Sequence, residues 1–217
     1  MTQPRVETGG LANRLRDATR TLHTQAERTG IMRALLARRI SRKDYCALLA
    51  NLHAIYIALE NSLRMHANQT SVAPIVDPLL FRSASIEADL DALHGSTWKN
   101  DIPHARATVA YVARIETIQN ADVERIVAHA YVRYLGDLNG GQMLEPIVRA
   151  ALDMRDQVAT QFYHFDVPSA SAFAVRYRET LDSLPVNSKS VDAIVDEACW
   201  AFTQHIALFE ELATSIS

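Results

Sequence analysis

Apolar residues recur every three to four positions through most of this chain, a spacing that places them on one face of an α-helix. The first such stretch runs from Leu11 to Arg28. The second begins at Ser41, which has the spacing of a capping box with Asp44, and ends near Leu63. Further helices are predicted at 85–93, 103–119, 122–154, 169–183 and 190–214. No segment alternates as a half-buried strand would, so the pattern predicts an all-α fold of about seven helices.

The predicted helices belong to one domain. A chain of 217 residues is long enough for one substantial core. The predicted loops, such as those at 68–78 and 163–168, are too short to separate two cores. We expect residues 1–10 to be a disordered N-terminal segment and residues 11–217 to form the domain.

Composition and charge narrow the class of protein. A net charge of −3 does not indicate the basic surface that nucleic-acid binding requires, although it leaves local basic patches as an alternative. The first ten residues lack the apolar core of a signal peptide, and no run reaches the length of a membrane span, so we expect neither a signal peptide nor a membrane span, and no tail anchor after the last helix. Cys46 and Cys199 fit no metal or redox spacing and are predicted to be reduced core residues. We expect a soluble, cytoplasmic protein that binds neither nucleic acid nor membrane.

Three of the seven glycines fall within the six residues 136–141, in the middle of the predicted helix 122–154. Each glycine costs a helix about 1 kcal/mol relative to alanine. A backbone without side chains can lie directly against a flat partner, or it can let two helices pack closely. The glycines alone leave both interpretations open.

His23 lies on the apolar side of the first predicted helix, with Glu27 one turn later. Such a histidine is either a hydrogen-bonded core residue or a ligand to a metal or heme, with its second ring nitrogen held by a neighbour. No spacing of other histidines, cysteines and acids fits a zinc or di-iron centre. One histidine facing bare glycine backbone is the minimum that a heme sandwich requires.

Two motifs resemble the signature helices of the heme oxygenase family. YVRYLGDLNGGQ (131–142) is similar to the family's distal helix, and ATRTLHTQAE (18–27) is similar to its proximal helix. The similarity continues in the same order through HAIYIALE, FYHF, YRETLDSL and AFTQHIALFEEL. The resemblance implies a heme oxygenase-like fold in which heme b is held between a proximal helix and a kinked distal helix.

The resemblance also implies roles for residues on the proximal side and at the heme edge. His23 would ligate the heme iron, and Glu27 would bond the other nitrogen of its ring. Arg16 and Arg178 would meet the heme propionates, and Tyr131 would lie near the heme edge. Without the resemblance, these arginines would be interpreted as surface charges and the tyrosine as core packing.

On the distal side, the resemblance implies that Asp137 anchors ordered water close to bound oxygen. Tyr56 and Arg133 match the partners of this aspartate, although Tyr56 on its own would be interpreted as core packing. The backbone that would lie against the heme is that of Gly136, Gly140 and Gly141.

Three positions depart from the family pattern. Ala174 stands where relatives often have a propionate-binding lysine, and Arg176 lies nearby on a different face. His205 stands where asparagine is frequent, so it is expected either to titrate near neutrality and change proton delivery or to keep an amide-like hydrogen bond. Val132 replaces a threonine found in some relatives.

The activity that the resemblance implies is oxidative cleavage of heme at a meso carbon, the α carbon in most of the family. The products would be biliverdin, carbon monoxide and ferrous iron. Heme would be both substrate and cofactor, O2 the oxidant, and a ferredoxin or an NADPH-dependent reductase the electron donor. A monomer is the expected state. Two alternatives remain: a non-enzymatic heme-storage protein, and a helical interaction module without a cofactor.

Overall fold

The computed structural model describes residues 9–154 and 159–214, and no strand occurs among them. The helices are α1 (Leu11–Glu27), α2 (Gly30–Leu36), α3 (Arg42–Met65), α4 (Ser83–Leu93), α5 (Trp98–Asp101), α6 (Arg106–Ala121), α7 (Ile126–Ala130), α8 (Gly136–Ala151), α9 (Ala170–Asp182) and α10 (Ser188–Ala213). The predicted all-α fold is therefore confirmed.

Helix α3 forms the centre of the core. Its start is fixed by the predicted capping box, in which Ser41 Oγ accepts from the Asp44 N–H and the Asp44 carboxylate accepts from the Ser41 N–H. Among the described helices, α3 is the one that is long and apolar enough to cross a membrane, but 72% of its most apolar stretch is buried against the rest of the fold. Its apolar character is thus accounted for by packing against α4 and α6.

Helix α10 forms the second long support of the fold. It packs against α1, α2, α6 and α7, and α8 packs against α9. Fully buried residues along α10, such as Ile194, Ala198 and Ala201, recur at helical spacing. This arrangement leaves α1 and α8 on opposite sides of a cleft whose floor includes α10.

The predicted helix 122–154 is irregular just before its glycines. A 3₁₀ turn at Val123–Arg125 leads into α7, and a five-residue π-helical segment, Tyr131–Leu135, joins α7 to α8. A π turn places an extra residue in the helix and is common at functional sites. The irregularity therefore lies in the π segment, and all three glycines are in regular α-helix.

Helix α2 is absent from the pattern-based prediction. Gly30 has a φ of +49°, and an added Cβ would lie 1.9 Å from the Phe209 carbonyl oxygen on α10. Glycine is therefore required twice, by its backbone angle and by the close approach of α10. The short α5 is also an addition, the predicted 103–119 helix begins later at Arg106, and the 68–78 loop contains 3₁₀ turns at Ala73–Ile75 and Pro78–Leu80.

The ends of the domain are described in part. The predicted N-terminal segment 1–10 lies mostly outside the described residues, but Gly10 is within them and sits so close to Asp182 that an added Cβ would be 2.3 Å from Oδ1. Cys46 is a buried free thiol, as predicted. Cys199 is a free thiol that is only half-buried, so its prediction as a core residue is wrong.

Candidate functional site

A cleft with two adjoining lobes lies between α1 and the π segment with α8. The outer lobe, about 430 Å³, is lined by α1, the π segment and α8, with one residue each from α9 and α10. The inner lobe, about 230 Å³, reaches between α2, α3 and α10. The residues shared by both lobes are His23, Glu27, Val132, Gly136, Gly140, Met143 and Phe202.

His23 projects from α1 into this cleft. Its side chain is 52% exposed, so the interpretation of His23 as a hydrogen-bonded core residue is wrong. Its Nδ1 lies 3.6 Å from Glu27 Oε1, which is close but longer than a hydrogen bond. The ring also meets Phe202 edge-on, with the centroids 5.8 Å apart. Since Nδ1 is the nitrogen near Glu27, Nε2 is the one available to a ligand.

Two of the three glycines in α8 face the cleft. A Cβ added at Gly136 or Gly140 would meet nothing within 4 Å, whereas a Cβ at Gly141 would lie 3.5 Å from Tyr163 Cδ1. Gly141 is buried and does not line either lobe. The helix surface at Gly136 and Gly140 is therefore open backbone, and it lies opposite an available imidazole. This arrangement fits a planar macrocycle with an iron centre.

Asp137 is held by two partners, one on another helix and one a single turn earlier in the same helical segment. Tyr56, on α3, donates from Oη to Asp137 Oδ2. Arg133, one turn earlier, donates from Nη2 to Asp137 Oδ1 at 3.0 Å and from Nε to Tyr56 Oη at 3.1 Å. The Arg133 and Asp137 side chains are 11% and 12% exposed. The structure therefore brings together the three distal residues that the motifs predicted.

Burial dominates the electrostatics of this cluster. It raises the pKa of the Asp137 carboxyl well above its usual range and lowers the pKa of the Arg133 guanidinium to about 10. A carboxyl with a raised pKa exchanges protons closer to neutral pH than an exposed aspartate does. Asp137 is therefore a candidate acid inside the inner lobe.

Cationic side chains surround the outer lobe. Arg16, with its side chain 67% exposed, and half-buried Arg178 both line it, as predicted. Arg20, one turn after Arg16 on α1, is a further lining cation, and its spacing from Arg16 was the signal that could have found it. Tyr131 is half-buried at the same lobe. The pKa of its hydroxyl is raised, because burial outweighs the lowering by Thr19 and the nearby arginines.

The positions that depart from the family pattern have different surroundings. Ala174 is fully buried, and the Arg176 guanidinium lies 5.2 Å from the Phe173 ring centroid, so neither adds a cation to the cleft. Val132 is a buried apolar residue in the wall of both lobes.

His205 lines the inner lobe but is 2% exposed, and neither ring nitrogen has a hydrogen-bond partner among the residues that the structure describes. Burial lowers the pKa of its imidazole well below the usual value, and the nearby basic groups Arg133 and His129 lower it further. The expectation that His205 titrates near neutrality is therefore wrong, and the alternative of an amide-like hydrogen bond to the protein is not met either.

Comparison with known proteins identifies the family. The family model for heme oxygenase matches residues 9–211. The chain is 39% identical to the heme oxygenase of Porphyra purpurea over 207 residues, which cover 95% of this chain and 88% of that protein. It is 38% identical to heme oxygenase 1 of Nostoc sp. over 93% of this chain and 85% of that protein. The chain belongs to the heme oxygenase family.

The fold agrees with this assignment. The crystal structure of heme oxygenase-2 from Synechocystis sp. in complex with heme and NO matches with a TM-score of 0.92 at 36% identity, over 96% of this chain and 87% of that chain. The structure of heme oxygenase-1 from the same cyanobacterium in complex with heme matches with a TM-score of 0.92 at 34% identity, over 96% and 94%.

Proposed function

We propose that this protein is a heme oxygenase, which cleaves heme at the α-meso carbon to biliverdin, carbon monoxide and ferrous iron. The observation that carries the proposal is the cleft itself: available His23 on one wall and open glycine backbone beside the buried Asp137 cluster on the other. Family membership supports the same activity. When bound, heme supplies both the redox-active iron and the carbon framework that is opened.

The wall of the cleft formed by α1 and the arginines of the outer lobe would hold heme. His23 Nε2 would ligate the heme iron, and Glu27, 3.6 Å from Nδ1, would orient the ring. Arg16, Arg20 and Arg178 line the outer lobe, where their charges suit carboxylates and fix the rotation of an asymmetric macrocycle. These three arginines provide cationic contacts although Ala174 provides none.

The wall of the cleft formed by α8 leaves space beside the ligand and supplies protons. Gly136 and Gly140 present backbone without side chains, which leaves space for a small molecule such as O2 beside the porphyrin. Asp137 would deliver protons from the inner lobe, a role that fits a carboxyl whose pKa burial raises. Arg133 and Tyr56 hold the carboxyl in one orientation through hydrogen bonds to its two oxygens.

The electron donor is external, and we propose that it is an acidic one such as a ferredoxin. Between Arg14 and Lys43 the sequence holds nine basic residues against the two acids Asp17 and Glu27, and all nine basic residues are exposed. This stretch comprises α1, α2 and the start of α3, and it borders the cleft at α1 and α2. A basic surface beside the cleft attracts an acidic partner over a range of about 10 Å at moderate salt.

Incubation with hemin, O2 and an electron source tests this function. Purified protein is supplied with a ferredoxin system, an NADPH-dependent reductase or ascorbate, and the pigment is separated by chromatography. Biliverdin of the α isomer, formed with carbon monoxide, is the expected result, with faster turnover on ferredoxin than on the NADPH-dependent reductase. Hemin that is bound and returned unchanged with every donor would instead indicate a heme-storage protein, and no hemin binding at all would indicate an interaction module.

A further inference from the structure

One carboxylate links two helices that carry arginines of the outer lobe, and the proposed function assigns it no role. Asp182 is the last residue of α9, and its Oδ1 accepts a hydrogen bond of 2.8 Å from the backbone N–H of Ala12, the second residue of α1. Ala12 lines the outer lobe, and α1 packs against α9. The two helices are therefore joined at the mouth of the cleft by a side chain that does not itself line either lobe.

The charge of Asp182 suits α1 rather than the helix to which it belongs. A helix carries partial negative charge at its C-terminus and partial positive charge at its N-terminus, so a carboxylate is disfavoured at the end of α9 and favoured at the start of α1. Helix α1 begins without a side-chain cap of its own, because its N-cap is Gly10, and its first turn, residues 11–14, contains no acid. Asp182 thus supplies from α9 the capping oxygen that α1 lacks.

Gly10 shows how closely this carboxylate lies against the start of α1. A Cβ added at Gly10 would be 2.3 Å from Asp182 Oδ1 and 2.7 Å from its Oδ2. The φ of Gly10 is −55°, an angle that other residues adopt readily, so the backbone does not require glycine at this position. The nearness of the carboxylate is what excludes a side chain, and an alanine here would displace the carboxylate from the Ala12 N–H.

The bond from Ala12 to Asp182 joins one arginine-bearing turn to another. Arg16 lies four residues after Ala12 on α1, and it lines the outer lobe. Arg178 lies four residues before Asp182 on α9, and it lines the same lobe, so each arginine is about one turn from the bond. His23 is eleven residues from Ala12, which is roughly 16 Å along α1 at 1.5 Å per residue. The bond is therefore placed to set the separation of the two arginines and has less influence on the imidazole.

We propose that Asp182 is a positioning residue, which holds α1 and α9 at the separation at which Arg16 and Arg178 can bind the two carboxylates of one macrocycle. An arginine binds a carboxylate strongly only when its planar N–H groups are aligned with the oxygens, so a shift of either helix would weaken these contacts. The inference rests on the proposed function, which supplies the substrate with two carboxylates. Asp182 acts through the two helices, and it does not itself touch that substrate.

Three replacements and one control test this role. Asp182→Asn keeps an oxygen that can accept from the Ala12 N–H, whereas Asp182→Ala removes it. Gly10→Ala keeps the carboxylate but pushes it out of place. Asp192→Asn is the matched control, because Asp192 also bonds the first turn of α1, at 2.6 Å from Arg14 Nη2, but through an exposed ion pair that does not involve α9.

The first readout is the urea unfolding of the heme-free protein. Asp182→Ala and Gly10→Ala should each lower the midpoint, because each removes the cap of α1, and Asp182→Asn should stay close to the wild type. In the Asp182→Ala background the Gly10→Ala change should have little further effect, because no carboxylate remains to be displaced. A Gly10→Ala effect of equal size in both backgrounds would overturn the proposed link between this carboxylate and α1.

The second readout is the affinity for hemin, measured by absorption titration. Asp182→Ala and Gly10→Ala should bind hemin roughly threefold to tenfold more weakly than the wild type, a part of what a charge-assisted contact contributes. Asp182→Asn and Asp192→Asn should bind it nearly as tightly as the wild type. In a variant that lacks both arginines (Arg16→Ala with Arg178→Ala), Asp182→Ala should cause little further loss of affinity.

The arginine-free background separates positioning from a general loosening of the cleft. An unchanged hemin affinity in Asp182→Ala, or an equal loss with and without the two arginines, would refute the proposal. Neither readout needs turnover, so hemin that binds as expected but is returned unchanged would count against the proposed function alone. A wild-type protein that binds no hemin would overturn both.

Discussion

His23 and Asp137 are the two residues on which the proposed chemistry depends, and their surroundings differ in the way the roles require. The imidazole is half-exposed at the mouth of the cleft, where a large ligand can reach it. The carboxyl is buried in the inner lobe between Tyr56 and Arg133, where protons can be exchanged away from bulk water. Each residue can therefore be tested alone.

Replacing His23 with alanine removes the proposed iron ligand. We expect His23→Ala to lose the absorption spectrum of histidine-ligated heme and to bind hemin roughly tenfold or more weakly, because the other lining imidazole, His205, is only 2% exposed. Hemin titration followed by visible absorption is the measurement. His104→Ala, an exposed histidine outside the cleft, should behave as the wild type. A wild-type spectrum from His23→Ala would refute the assignment.

Replacing Asp137 with asparagine keeps the shape of the side chain and removes its acid. We expect Asp137→Asn to bind hemin normally while biliverdin formation falls roughly 100-fold, the lower end of what a positioned acid contributes. Binding and rate are measured separately, by titration and by pigment yield. The exposed residue Asp192, 64% accessible and outside the cleft, provides the control Asp192→Asn. An unaltered pigment yield from Asp137→Asn would count against proton delivery by this carboxyl.

Among the helices, α8 shows a conflict between stability and function. Gly136 and Gly140 each cost the helix about 1 kcal/mol relative to alanine, yet neither is required by its backbone angle or by a close protein neighbour. The space that these glycines leave is part of the cleft. Binding of a flat ligand therefore explains why glycine is found at these two positions, where helix stability alone would favour another residue.

This conflict gives a prediction that distinguishes the adjacent residues Gly140 and Gly141. Gly140→Ala should raise the free energy of unfolding of the heme-free protein by about 1 kcal/mol and weaken hemin binding. Gly141→Ala should give a similar gain, because its Cβ meets Tyr163 at an ordinary 3.5 Å, and should leave hemin affinity close to wild type. Urea unfolding and hemin titration measure the two effects. Equal hemin affinities for the two variants would contradict the orientation of α8.

How well each helix was predicted depends on whether its signals are local. Helix α3 follows the prediction closely, because the capping pair Ser41 and Asp44 acts within one turn. Helix α2 is absent from the prediction, because its first residue, Gly30, is also typical of a turn or loop. In the structure Gly30 has a positive φ and lies close to the Phe209 carbonyl on α10, a contact that the local sequence does not reveal. Glycine alone in a sequence does not distinguish these cases.

The same distinction applies to the site. Arg133 and Asp137 are one turn apart, so their pairing could be expected from spacing, but Tyr56 joins them from α3 and was grouped with them only through the family resemblance. The state of His205 depends on burial beside Tyr111 and Phe209, which no local pattern encodes. Tertiary environment, rather than residue type, decided where the prediction failed.

Across the whole molecule, a buried carboxylate connects α10 to three other parts of the fold. Glu197 is 1% exposed and accepts from Arg114 Nε and Nη2 at 2.9 and 2.6 Å and from Arg125 Nη1 at 3.1 Å. His129 Nε2 lies 3.3 Å from its Oε1. Burial raises the pKa of this carboxyl, but the nearby Arg114 and His129 outweigh burial and lower the pKa to about 2.

This lowered pKa predicts how stability depends on pH. Because the folded state holds the Glu197 proton more weakly than the unfolded state, the stabilisation is complete above the ordinary pKa of about 4.5 and is lost as the pH falls toward about 2. The shift corresponds to about 3 kcal/mol. Glu197→Gln should be less stable at neutral pH and should lose this part of the acid dependence in urea unfolding, whereas the exposed-site variant Glu116→Gln should keep it. Parallel acid profiles for wild type and Glu197→Gln would contradict the network's role.

A crystal structure of the protein grown with hemin tests the central claim most directly. The iron should be bonded to His23 Nε2, the ring should lie against the backbone of Gly136 and Gly140, and the carboxylates should meet arginines at the mouth of the cleft. Iron ligated by a different residue, or a macrocycle bound away from these two glycines, would contradict the account.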